Sequence, residues 1–290
     1  MPDLVGRVTS ALRNPGDSPW LPGVTAGLVD RGWEDLYQGT GLTPSEYGTE
    51  RVLARDRNAL RKVVSVIPAA LSYRDSAQAF QIELLGRDTT RRYEESGVKF
   101  YSEDEINRES MTERVVEAVT VLKSVPTLFT TITELVRSVH LIDAGDDDYD
   151  VSFSEPHVPF SIFVSVPNAG SITNTLRIAE AIVHEAMHLQ LTLIEKFVPL
   201  AHETQLRIFS PWRGEYRSVR GVLHALYVFR VIVRFLESLL SVSSHHASAL
   251  GYIQMRRGEI YLQINTIRSL KDCSELTVAG ADFVRRLMQC

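Results

Sequence analysis

The run His184-Glu185-Ala186-Met187-His188 is an HExxH motif. On a helix, residues four apart share a face, so the two imidazoles can chelate one metal ion while Glu185 acts as an acid, a base or an orienting group. The competing reading is a pair of core histidines hydrogen-bonded to backbone. Packing alone, however, gives no reason for two histidines to share a face at the chelating spacing. A metal site needs a third ligand. The metzincin continuation is excluded, because Leu191 and Ile194 stand where a glycine and a histidine would be required. Glu203, Glu215 and Glu237 are downstream carboxylates for a glutamate-type zinc site, but in no convincing frame. His224 is the stronger candidate, since it interrupts an apolar stretch where an imidazole without a partner would be costly.

Just ahead of His224, the segment Pro211-Trp212-Arg213-Gly214-Glu215-Tyr216-Arg217-Ser218-Val219-Arg220 carries three arginines. A guanidinium holds a carboxylate through two parallel hydrogen bonds, so Arg213, Arg217 and Arg220 are candidates for binding an acidic small molecule. A surface loop with arginine and glutamate pairing would read the same way.

The elements that must position these groups are mostly helical by pattern. Residues 175–198 read as one amphipathic helix carrying HExxH, capped by Thr173, Asn174 or Thr175 and stopped by Pro199. Its packing faces are Leu176, Ala179, Ile182, Val183, Ala186, Met187 and Ile194. Residues 222–240 read as a buried central helix, and Arg230, Arg234 and Glu237 argue against a membrane span. Earlier, residues 51–67 and 76–85 show helical patterns, and residues 103–141 form a long helical stretch that Pro126 divides. An acidic run from Asp143 to Asp150 leads into residues 151–154 and 159–166, whose β-branched and aromatic content predicts a short hairpin or strand pair. Residues 201–220 read as an irregular connection, and residues 249–270 and 274–288 as two closing helices. The expected fold is mainly α: a helical metalloenzyme domain with a small β element preceding the HExxH helix. Residues 1–140 form a helical N-terminal portion and residues 141–290 the HExxH catalytic portion, continuous with it.

With a net charge of -5 and scattered basic residues, the chain has no electrostatic footprint for nucleic acid. Cys273 and Cys290 fit neither a metal-ligand nor a disulfide spacing, and no secretory signal is visible, so a cytoplasmic location is expected.

The ordered set of His184-Glu185-x-x-His188, Phe197-Val198-Pro199-Leu200, Pro211-Trp212-Arg213, Arg217 and Gly221-Val222-Leu223-His224-Ala225-Leu226-Tyr227-Val228-Phe229 resembles the HExxH-motif peptide-modification proteins. These accompany ribosomally synthesised, post-translationally modified peptides. The resemblance runs from about Tyr149 onward, and Leu276-Thr277-Val278-Ala279-Gly280 is similar to the family's ending. It implies an iron(II)- and 2-oxoglutarate-dependent dioxygenase that consumes O2 and hydroxylates a side-chain β-carbon of a precursor peptide. His184, His188 and His224 would then hold iron, leaving three positions of an octahedron for the chelating oxoacid and dioxygen. Glu185 would orient neighbours or handle a proton, and Arg213 or Arg217, with Arg220 as the fallback, would anchor the distal carboxylate of 2-oxoglutarate. Two departures stand out: Glu215-Tyr216-Arg217-Ser218 replaces the family's Asp-Pro-Arg-Pro, and Ala225 replaces a glycine. They bear on the loop's shape and on substrate choice. The alternatives are a zinc metallopeptidase with Glu185 as the water-activating base, and a non-catalytic peptide-binding protein with a structural metal.

Overall fold

The computed structural model describes residues 3–40, 62–68, 79–146, 149–155, 160–241 and 247–289. Their contacts divide the chain into two compact units, residues 29–186 and residues 1–28 with 187–290. Helices α1 (Leu4–Arg13) and α2 (Pro22–Thr40) open the chain.

Within residues 29–186 the dominant feature is a six-stranded mixed sheet, which corrects the expectation of a mainly α fold: the molecule is mixed α/β. β1 (Lys62–Pro68) and β2 (Ala79–Leu84) pair antiparallel. Within the helical patterns assigned to residues 51–67 and 76–85, residues 62–67 and 79–84 are therefore strand, while residues 51–61 and 76–78 lie outside the described residues. In β1 the residues Val63, Val64, Val66 and Ile67 are β-branched, the type that fits a pleated surface best, and Val66 is exposed while Ile67 is buried.

After α3 (Arg87–Glu94) and β3 (Lys99–Phe100) comes α4 (Glu103–Arg108), started by a reciprocal capping box between Ser102 and Glu105. Burial barely touches Glu105, and the hydrogen bonds from the Ser102 side chain and backbone hold its carboxyl below the ordinary value. α5 (Met111–Lys123) and α6 (Pro126–Leu135) follow, with Pro126 at the first helical position of α6, where its missing N–H costs nothing. The predicted helix to residue 141 ends early, because β4 (Ser138–Asp143) occupies its last residues.

β4 runs parallel to both β2 and β6 (Ser161–Ser165), and β5 (Ser152–Ser154) pairs antiparallel with β6, forming the predicted hairpin element. All of β6 and all but the last residue of β4 are buried, as expected of parallel strands covered on both faces. On this sheet Phe163 stacks on Phe153 with ring centroids 4.3 Å apart. A cavity of about 520 Å³ opens at the carboxyl ends of β4 and β6, lined in part by Lys99, Asp143, Tyr149 and Asn168. Open sheets commonly hold ligands at that end, yet none of the sequence-predicted site residues lines it.

α7 (Ile172–Glu195) carries the HExxH motif. Ser171 caps it, its Oγ accepting from Asn174 N–H at 3.1 Å, two positions before the first of the residues expected to do so. The predicted packing face is buried throughout: Leu176, Ala179, Ile182, Val183, Ala186, Met187 and Ile194 are each at most 1% exposed.

In the second unit, the connection expected to be irregular contains a hairpin, β7 (Arg207–Ser210) with β8 (Glu215–Ser218), turned at Gly214 with φ 66°. Trp212 stacks on Phe229 with ring planes 5° apart, which fixes the turn to α8 (Val219–Leu240). Ser218 caps α8 by accepting from Gly221 N–H. Gln190 of α7, fully buried, donates to Trp20 O at 2.9 Å and Thr25 Oγ1 at 2.7 Å, and accepts from the Tyr227 hydroxyl. α9 (Ala247–Thr266) and α10 (Val278–Gln289) complete the unit, and Arg286 of α10 donates to the carbonyls of Ala11, Asp17 and Ser18. Cys273 is a free, half-buried thiol, and Cys290 lies outside the described residues. Among the described residues, no helix is long and apolar enough to cross a membrane.

Candidate metal centre

His184 and His188 sit one turn apart on α7, which settles the helical premise of the motif. His184 and Glu185 belong to the unit of residues 29–186, and His188 to the other. In the first unit, Glu185 is 2% exposed. Its Oε1 accepts from Ser152 Oγ at 2.7 Å and lies 3.8 Å from His184 Nε2. A buried carboxylate needs such partners. Ser152 is supplied by β5, a residue that nothing in the motif announces.

In the second unit, α7 and α8 each contribute two polar side chains to one cluster. His188 and Glu195 are seven residues apart on α7, two turns along one face, and Arg220 and His224 are four apart on α8. His188 Nδ1 lies 3.4 Å from His224 Nδ1. On the far side of the His224 ring, Nε2 lies 2.8 Å from Glu195 Oε2, and the same oxygen accepts from Arg220 Nε at 2.6 Å. The His224 and Glu195 side chains are each 10% exposed. Burial pushes the Glu195 carboxyl up, but the hydrogen bond from His224 together with the charge and hydrogen bond of Arg220 outweigh it and hold the group below the usual carboxylate value.

The structure thus brings His188 and His224 together and adds Glu195, which the sequence reading missed. The signal was available: Glu195 stands seven residues after His188 on a helix already assigned. Among the described residues, no group of three or more His, Cys, Asp or Glu side chains is gathered closely enough to hold a metal ion. The His188 and His224 pair nonetheless fits one. A separation of 3.4 Å falls within the range of about 3.0–3.4 Å expected between two nitrogens bound to one metal at about 2.0–2.1 Å. A carboxylate on the second ring nitrogen is the usual way a metal-ligating histidine is oriented.

The arginines separate by position. Arg213 is exposed in the β7–β8 turn, where its N–H donates to Ser210 O. Arg217, on β8, lies 3.5 Å from Glu215 Oε1, and its Nε is 3.6 Å from where a side chain on Gly221 would begin. Arg220 is engaged by Glu195. No protein-family model matches the chain, and no curated protein is significantly similar to it.

Proposed function

We propose that the chain is an iron(II)- and 2-oxoglutarate-dependent dioxygenase that hydroxylates a side-chain β-carbon of a ribosomally made peptide, acting in the cytoplasm. The observation that carries the metal assignment is the approach of His188 Nδ1 to His224 Nδ1 at 3.4 Å, with Glu195 behind the second ring. His184, one turn earlier on α7, completes the proposed ligand set. When bound, iron(II) with 2-oxoglutarate and O2 supplies the oxidising power that converts the oxoacid to succinate and CO2 and places a hydroxyl on an unactivated carbon.

The chain's own groups have separable tasks. His188 and His224 offer ring lone pairs from two helices whose packing fixes their spacing. Glu185 accepts the Ser152 hydroxyl and is held as an orienting group, an arrangement that supports the oxygenase over a peptidase, whose glutamate must be directed at water. Arg217, lying against the first turn of α8, is the candidate anchor for the distal carboxylate of 2-oxoglutarate, with Arg213 the second choice. The peptide substrate follows from the family resemblance.

The test does not require the peptide. Protein reconstituted anaerobically with iron(II) should develop a metal-to-ligand charge-transfer band on addition of 2-oxoglutarate, and admission of O2 should release succinate. Peptide cleavage supported by zinc under nitrogen, or iron loading without any response to 2-oxoglutarate, would overturn the proposal.

A further inference from the structure

We infer that Glu195 is a positioning residue that sets the tautomer of His224, so that this histidine presents Nδ1, and not Nε2, to a metal ion. The inference rests on the proposed metal site but not on the oxidative reaction assigned to it. A carboxylate can only accept, so the 2.8 Å contact between Glu195 Oε2 and His224 Nε2 requires the proton to be on Nε2. In the neutral imidazole that leaves the lone pair on Nδ1, the nitrogen 3.4 Å from His188 Nδ1. Without metal, His188 N–H can donate to that lone pair; with metal, both rings turn lone pairs to the same cation.

Arg220 gives the carboxylate its permanence. Its Nε donates to the same Oε2 at 2.6 Å, and the Glu195 side chain is only 10% exposed. A buried carboxylate without a cation would protonate or withdraw from the ring, and either change frees the tautomer. Glu195 also sits at the last position of α7, so its direction is set by the same helix that carries His188. Arg220 is thereby committed to Glu195 instead of a cosubstrate carboxylate.

The decisive measurement is made on the metal-free full-length protein. Histidine-labelled protein examined by ¹⁵N NMR, with His224 assigned by comparison with His224→Asn, should show His224 protonated at Nε2. A wild-type signal protonated at Nδ1 would overturn the inference without any variant having to fold. Glu195→Leu should shift the population toward the Nδ1-protonated form and weaken cobalt(II) binding by about 10–100-fold, the usual cost of losing such an orienting partner. Arg220→Met, a milder change at an exposed side chain, should move both readouts in the same direction. Unchanged tautomer and unchanged cobalt affinity in these variants would also refute it. If cobalt binding and tautomer respond as expected but 2-oxoglutarate elicits no response from iron-loaded protein, the dioxygenase proposal fails and the role of Glu195 stands.

Discussion

Two side chains divide the oxygenase reading from its rival. Glu185 is sealed from solvent and accepts a hydrogen bond from Ser152 Oγ. The carbonyl of a glutamine can accept the same bond, so Glu185→Gln should keep its metal and release succinate within about tenfold of the wild-type rate, an amount typical of a lost orienting charge and below the 10²–10⁴-fold of a proton-transfer group. Turnover abolished while metal and 2-oxoglutarate remain bound would assign Glu185 to proton transfer. Arg217 is tested by a different split. Arg217→Met should raise the 2-oxoglutarate concentration for half-maximal succinate release by about tenfold or more, as expected for losing about 1.5–3 kcal/mol of charge-assisted bonding, and leave iron content unchanged. If neither Arg217→Met nor the matching Arg213→Met does so, the cosubstrate carboxylate is held elsewhere.

The helix that carries His224, α8, is joined to α9 by charge and hydrogen bonds. Glu237 on α8 accepts from Tyr261 Oη at 2.8 Å and Arg257 at 2.9 Å, both on α9. Burial raises its carboxyl, but those hydrogen bonds and that of Arg234 prevail and leave it below the ordinary value of 4.5. A group depressed on folding contributes stability that is present above its unfolded value and lost as pH falls through the folded one. Glu237→Gln should therefore lower stability at neutral pH by about 1 kcal/mol, partial exposure screening the ion pair. The difference in melting temperature from wild type should close as pH drops below 4.5. A difference independent of pH would mean that packing, not charge, carries the contact. Elements of this kind were also the most legible in the sequence. α7 and α8 are long, and their apolar faces repeat over several turns, so their extents were readable to within about a turn. The sheet was not. β2 buries Gln81 and Glu83, β4 buries His140, and strands this short lack the length that separates a buried strand from a piece of helix. At the site, the HExxH spacing and the odd imidazole in an apolar helix pointed to His188 and His224. Ser152 reaches Glu185 across 33 residues of chain, and only tertiary pairing could reveal it.

At the scale of the whole molecule, the first 28 residues belong to the unit built from residues 187–290. Arg286 is the fastening: 2% exposed, it donates to the carbonyls of Ala11, Asp17 and Ser18. Arg286→Met would leave those carbonyls short of a donor in a buried place and should cost about 2–4 kcal/mol. Hydrogen exchange should then report loss of protection in α1 and α10 while the strands of residues 29–186 keep theirs. Uniform loss across the chain would show the two units to unfold as one. The arrangement also sets a timetable during synthesis. Residues 29–186 are continuous and can fold as they emerge, but Ala11 meets Arg286 only after 275 further residues, an interval of about 14–55 s at about 5–20 residues per second. Throughout it Val8 and Leu12, at most 1% exposed in the finished protein, lie on a helix that lacks its contacts with α10. The opening helix is the segment that a chaperone at the ribosome would have to shield.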